Sequence, residues 1–196
     1  LSVGLAAARA SETAAASVLA PAQAFAQRAA EAPGLALSVC EGDDDDGFAL
    51  AAARGLARRS RTILVAMDDA IRMPNVAGPG LADLLTARAT FDDTIHRDPI
   101  SRLHVLGPGE GAQGGADALL SALDALLEAY DHVVVASSDN LDVDQAHALS
   151  QLATSVVVYA RDVGAAAALA DALESYGLPR AAIAGVDGAP VDQTAA

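Results

Sequence analysis

Residues Leu35–Cys40 (LALSVC) run into Glu41–Gly47 (EGDDDDG) and then into Phe48–Arg59 (FALAAARGLARR). The first segment is mostly apolar, as expected of a strand covered on both faces. The second is polar and carries two glycines. The third is dominated by alanine, leucine and arginine, all good helix formers. A strand, a glycine-containing loop and a helix in this order open a parallel α/β sheet. In nucleotide-binding sheets of this kind the loop amides and the helix N-terminus cradle phosphate, and a lysine reaches its outer oxygens. Here the loop instead carries Glu41, Asp43, Asp44, Asp45 and Asp46. Two unit charges about 4 Å apart interact by about 1 kcal/mol in water and about 4 kcal/mol near a protein surface. Such carboxylates repel a triphosphate.

The acidic run has a structural reading, because aspartates at a helix N-terminus cap its free N–H groups and are favoured by its dipole. Its other reading is a divalent cation held by the cluster, with Asp45 and Asp68 as candidate ligands. The run does not fit an EF-hand: with Gly47 at the sixth position, the first ligand position is Gly42 and the twelfth is Ala53.

Working outward, the pattern repeats. Strand candidates are Leu35–Cys40, Thr62–Met67, Leu103–Leu106, His132–Ala136, Ser155–Ala160 and Ala181–Val186. Helix candidates between them are Phe48–Arg59, Leu81–Ala87, Ala116–Tyr130, Val143–Leu152 and Gly164–Tyr176. Gly177 and Pro179 end the last helix. The alternation predicts a mainly parallel sheet with helices on both faces, strands Leu35–Cys40 and His132–Ala136 being neighbours near its centre. Residues 1–34 read as an alanine-rich helical segment or tail, 35–188 as the α/β domain, and 189–196 as a flexible tail. Gly107–Gly115 (GPGEGAQGG) reads as a loop.

Composition narrows the chemistry. The chain has 196 residues, 53% hydrophobic, and a formal charge of −14. That charge disfavours nucleic acid and anionic lipid as partners and favours a basic protein patch. No apolar run is long enough to span a bilayer, and no signal peptide is visible. The chain starts at Leu1, which leaves room for a segment upstream. Cys40 is the single cysteine, so no internal disulfide forms. All twelve basic residues are arginine. Any mechanism that needs a lysine is excluded.

The segment GPGLADLLTARATFDDTIHRDPISRLHVLGPG, residues 78–109, resembles the cytoplasmic kinase domain of bacterial tyrosine kinases and chain-length regulators for capsular and exopolysaccharide. That family has a glycine, a helix of the type GLSDLL, a short acidic helix, a strand and a Pro/Gly loop in this order. ALLEAYDHVVVAS (125–137) and QLATSVVVYARDV (151–163) are further points of resemblance, which extends over residues 35–188. It implies a deviant P-loop fold like that of the chromosome-partitioning ATPases.

Carried over by position, the resemblance implies a degenerate site. The Gly-Lys-Ser/Thr ending the family's phosphate loop falls on Asp44, Asp45 and Asp46. The Asp-x-Asp after the next strand falls on Asp68, Asp69 and Ala70, so its first aspartate is retained. Arg72 and Pro74 match the Arg and Pro that follow. The Walker B aspartate falls on Ala136, and the Thr-Pro-Pro after it on Ser137, Ser138 and Asp139. The family's oligomerising helix carries Glu and two Arg where this chain has Gln23, Ala26 and Ala29. Its tyrosine-rich tail is replaced by GAPVDQTAA, and Tyr130, Tyr159 and Tyr176 read as packing residues.

No catalytic residue and no cofactor is therefore expected, with Gly42–Gly47 as a degenerate phosphate loop. His96, His104, His132 and His147 are scattered and lack metal-ligand spacing. Asp139, Asp142 and Asp144 follow the His132–Ala136 strand and could join Asp68 in an acidic pocket, with Asp142 as a helix cap. The implied function is a non-catalytic, cytoplasmic protein–protein interaction module of an exopolysaccharide or capsule export system, at or near the inner face of the plasma membrane. Its partner would be a protein of that machinery; its oligomeric state is left open. The alternatives are an active ATPase or tyrosine kinase of atypical chemistry, and a divalent-metal sensor.

Overall fold

The computed structural model describes residues 18–44, 47–74, 78–111 and 114–185. Asp45, Asp46, the first 17 residues and the tail after Gly188 lie outside them. Helix α1 covers described residues 18–31. The elements after it are β1 (Gly34–Cys40), α2 (Phe48–Leu56), β2 (Thr62–Ala66), α3 (Leu81–Leu85), α4 (Phe91–Thr94), β3 (Ile95–Arg97) and β4 (His104–Leu106). They continue with α5 (Ala116–Ala129), β5 (His132–Ser138), α6 (Val143–Ser150), β6 (Ala153–Ala160), α7 (Val163–Ser175) and β7 (Ala181–Gly185).

The strands form one seven-stranded sheet in the order β3-β4-β2-β5-β1-β6-β7. All pairings are parallel except β3 with β4. The expected α/β architecture is present, and β1 and β5 are adjacent, Leu37 standing opposite Val135. β3 is an addition to the expected strands. Its three residues, IHR, carry one apolar side chain, too little for a periodic signal.

The central strands are buried throughout, and alternate residues feed two cores. Ala36, Cys40, Leu64, Val134 and Ala136 face α1 and α2. Leu35, Leu37, Val39, Val133 and Val135 face Leu81, Leu119, Leu123, Leu149 and Leu173 of α3, α5, α6 and α7. On the first face Phe48 stacks on Tyr159 with ring centroids 4.7 Å apart and lies 6.1 Å from Phe25, so the aromatics join α1, α2 and β6. Ala26 and Ala29 are buried in this core and Gln23 is exposed. The alanine-rich stretch thus provides a helix closely fitted to α2. Tyr159 is a core residue, whereas Tyr176 is 36% exposed and packs less than its apolar ring suggested.

Two glycine positions shape the ends of helices. Gly80 lies against the backbone of Gly107 and Gly109, leaving no room for a Cβ. Carbonyls of that loop cap α3: Leu81 N–H donates to Gly107 O and Ala82 N–H to Pro108 O, both at 2.8 Å. Gly177, at φ 90°, ends α7. Its N–H donates to Glu174 O, and Leu178 N–H donates to Leu173 O, the paired bonds of a Schellman motif.

Candidate functional site

The loop after β1 opens at the carboxyl end of the sheet, between the ends of β5 and β6, where open α/β sheets bind ligands. Gly42 and Gly47 both take left-handed conformations, φ 68° and 71°. These turns fold the loop back so that Asp44, fully buried, lies under the start of α2. Phe48 N–H donates to Asp44 Oδ1 at 2.8 Å, and Ala49 N–H donates to Asp44 Oδ2 at 3.4 Å. The carboxylate thus occupies the positive end of the helix, the position a phosphate takes in nucleotide-binding loops.

Further described amides of the loop also bond within the protein. Asp44 N–H donates to Ala70 O at 2.8 Å and Gly47 N–H to Asp44 O at 3.0 Å. Gly42 N–H donates to Asp139 Oδ1 at 3.3 Å. A phosphate-cradling loop needs amides directed at the ligand. At Gly42, Asp44, Gly47, Phe48 and Ala49 each amide already has an acceptor from the protein.

Asp68, just beyond β2, is a second anchor. Its Oδ2 accepts Ser138 N–H at 2.9 Å, Ser138 Oγ–H at 3.0 Å and Ser137 Oγ–H at 3.3 Å. Its Oδ1 accepts Ala70 N–H at 3.1 Å. Asp68 therefore ties the β2 end to the β5 end. Ser137 and Ser138, both buried, were not singled out as Asp68 partners in the sequence. The signal was present: hydroxyl donors end one strand and an aspartate ends its neighbour.

Ala136 is fully buried, opposite Ser38 on one side and Ala66 on the other. A methyl group stands where the resemblance implies the Walker B carboxylate. Cys40 is buried beneath the loop. Burial, reinforced by the charges of Asp44, Asp68 and Asp139, pushes its thiol pKa far above the ordinary range.

Among the described residues the acidic side chains do not converge on one point. Asp43, Asp44 and Asp69 line an open depression with Ala70 and Arg72. Arg72 passes across Gly47, its Cδ lying where a side chain at Gly47 would meet it. Asp142 caps α6, accepting Gln145 N–H at 2.8 Å, while Asp144 is exposed in the first turn of that helix. Among the described residues no group of three or more His, Cys, Asp or Glu side chains is placed to hold a metal ion. His104 bonds Tyr130 Oη at 2.7 Å, and His132 is buried at the start of β5.

Neither a protein-family model nor a curated protein sequence matches the chain. Solved structures do match its fold. The kinase domain of VpsO superposes with a TM-score of 0.69 at 21% identity, covering 92% of this chain and 96% of that one. The kinase domain of the Escherichia coli tyrosine kinase ETK gives 0.60 at 15% identity, covering 84% and 70%. A ParA family ATPase from Chlorobium tepidum gives 0.57 at 15% identity, covering 78% and 73%. The chain has the α/β fold of the bacterial tyrosine kinase domains and of the ParA-type ATPase. Among the described residues no helix is long and apolar enough to cross a membrane.

Proposed function

We propose that this chain is a P-loop-type domain whose nucleotide site is closed by its own side chain, and that it works by protein contact in exopolysaccharide or capsule export. One observation carries the first half: the Asp44 carboxylate holds the first two amides of α2. Nucleotide would have to expel a buried, hydrogen-bonded carboxylate, and the chain has no lysine to serve as the usual phosphate partner. The absence of a Walker B carboxylate at Ala136 supports the same reading. The likeness in fold to tyrosine kinase domains supports the choice of pathway, as does the 78–109 segment.

An atypical ATPase is the second reading. Arg72 favours it, as a cation beside the loop mouth. That cation would still leave the α2 amides in the hands of Asp44.

The test of catalysis is turnover. Incubation with γ-labelled ATP and Mg²⁺ should release no phosphate and label no tyrosine. Release proportional to protein concentration sinks the non-catalytic reading. The test of contact is a pull-down from cells that make the polymer. With 26 acidic against 12 basic residues, the partner should carry a basic patch and be lost at high salt. Recovery of no export component at low salt counts against the interaction role.

A further inference from the structure

The arginines of this chain are not spread evenly. At the end of the sheet opposite the phosphate loop, Arg58, Arg59, Arg61 and Arg102 line one cavity of about 480 Å³. They arrive from three places: the segment after α2, the start of β2 and the turn before β4. Cations just past a helix C-terminus are favoured by its dipole, which accounts for Arg58 and Arg59. It does not account for Arg61 and Arg102. Asp131 is the single carboxylate lining the cavity, and it is engaged by Arg61 through the backbone N–H at 2.8 Å and the guanidinium at 3.2 Å. Among the described residues, Arg58, Arg59 and Arg102 have no carboxylate within ion-pairing distance. Four arginines and one carboxylate in the lining leave a positive surplus in a protein whose net charge is −14.

We propose that this cavity is a binding site for a small phosphorylated molecule. Guanidinium forks match phosphate oxygens in a bidentate fashion, and several from separate elements can close on one group. A phosphate monoester carries about −1.5 to −2 charges at neutral pH, so one or two phosphates balance the surplus. The volume is that of a small-molecule pocket. Its wall is mixed: Ala57, Ala129 and the ring of Tyr130 offer apolar surface for an organic moiety beside the phosphate. Tyr130 is fixed by its bond to His104, so the wall is preformed.

The inference is independent of the closed phosphate loop, which lies at the other end of the strands. The test is calorimetric titration of the full chain with inorganic pyrophosphate, without Mg²⁺, at low salt. Saturable one-site binding is expected. Arg59→Ala together with Arg102→Ala should weaken it at least about tenfold, the loss of hydrogen bonds between charged groups. Arg28→Ala, on the exposed side of α1, should leave it unchanged. Arg59 and Arg102 are exposed, so the double variant should melt at the wild-type temperature. Absence of saturable binding overturns the site, and so does binding indifferent to the double variant. A Glu-rich peptide that binds more tightly than pyrophosphate overturns the ligand class.

Discussion

The Asp44 carboxylate accepts the backbone N–H of Phe48 at 2.8 Å, so the first turn of α2 is satisfied from within the chain. Donor and acceptor lie four positions apart. Gly47, directly before the donor, is left-handed at φ 71°, a conformation that glycine adopts without strain. Phe48 in turn stacks on Tyr159. One carboxylate thereby fixes the loop, the start of the helix and an aromatic pair in the core.

Removing that carboxylate should cost stability. Asp44→Ala strips a helix cap and leaves buried amides without acceptors, for a loss of about 2–3 kcal/mol. Asp44→Asn retains one acceptor oxygen and should lose less. Urea unfolding at neutral pH measures both. A change under about 0.5 kcal/mol for the alanine variant, the range of ordinary surface substitutions, would show that the cap is not structural.

A second fixed point is the pair between Arg54 of α2 and Asp98 after β3. Arg54 Nε donates at 3.0 Å and a terminal nitrogen at 2.7 Å, each to a different oxygen of Asp98. Ser101 Oγ–H also donates to Asp98. The Arg54 hydrogen bonds, with help from Ser101, hold the Asp98 carboxyl below the usual carboxylate range. A depressed folded-state value stabilises the protein above the unfolded value, about 3.9, and that stability disappears as pH falls through the folded value. Asp98→Asn should therefore lower stability at pH 7 by about 2–3 kcal/mol, since a part-buried guanidinium loses its charged partner. It should also shrink the difference in stability between pH 7 and pH 3. Melting curves across that range test the sign: an unchanged acid slope would mean that Asp98 titrates normally.

Cys40 should be chemically silent in the folded protein. It is buried, and burial together with the nearby aspartates raises its thiol pKa, so little thiolate forms. Its reaction with a disulfide reagent at about pH 8 should follow the rate of unfolding, because the reactive thiolate of an ordinary cysteine, pKa about 8.5, exists only in the open chain. Labelling within seconds under native conditions would contradict the closed loop above it.

Much of the fold was legible because its strands are long apolar runs. HVVVAS and SVVVYA announce themselves. β3 did not, since IHR joins the edge by antiparallel pairing to β4 rather than by burial of its own side chains. The site was legible in part. An aspartate cap for α2 followed from the acidic run and the helix after it, but nothing in four consecutive aspartates singles out Asp44. The Asp44–Ala70 backbone bond, which joins the loop to the segment after β2, is a tertiary feature that the run does not reveal. The arginine cavity was invisible for a related reason. Arg58, Arg59 and Arg61 are close in sequence, but Arg102 is brought beside them only by the β2–β4 pairing.

The central claim is that the phosphate position at α2 is already filled. The direct measurement is the backbone amide resonances of Phe48 and Ala49 during a titration with MgATP. Both amides are held by Asp44, so neither should move as MgATP rises to several millimolar. The two amides report on the loop itself, and weak anion binding at the arginine cavity would not disturb them. Saturable shifts of both with a dissociation constant below about 100 μM, equivalent to about −5.5 kcal/mol, would contradict the account and show a working nucleotide site.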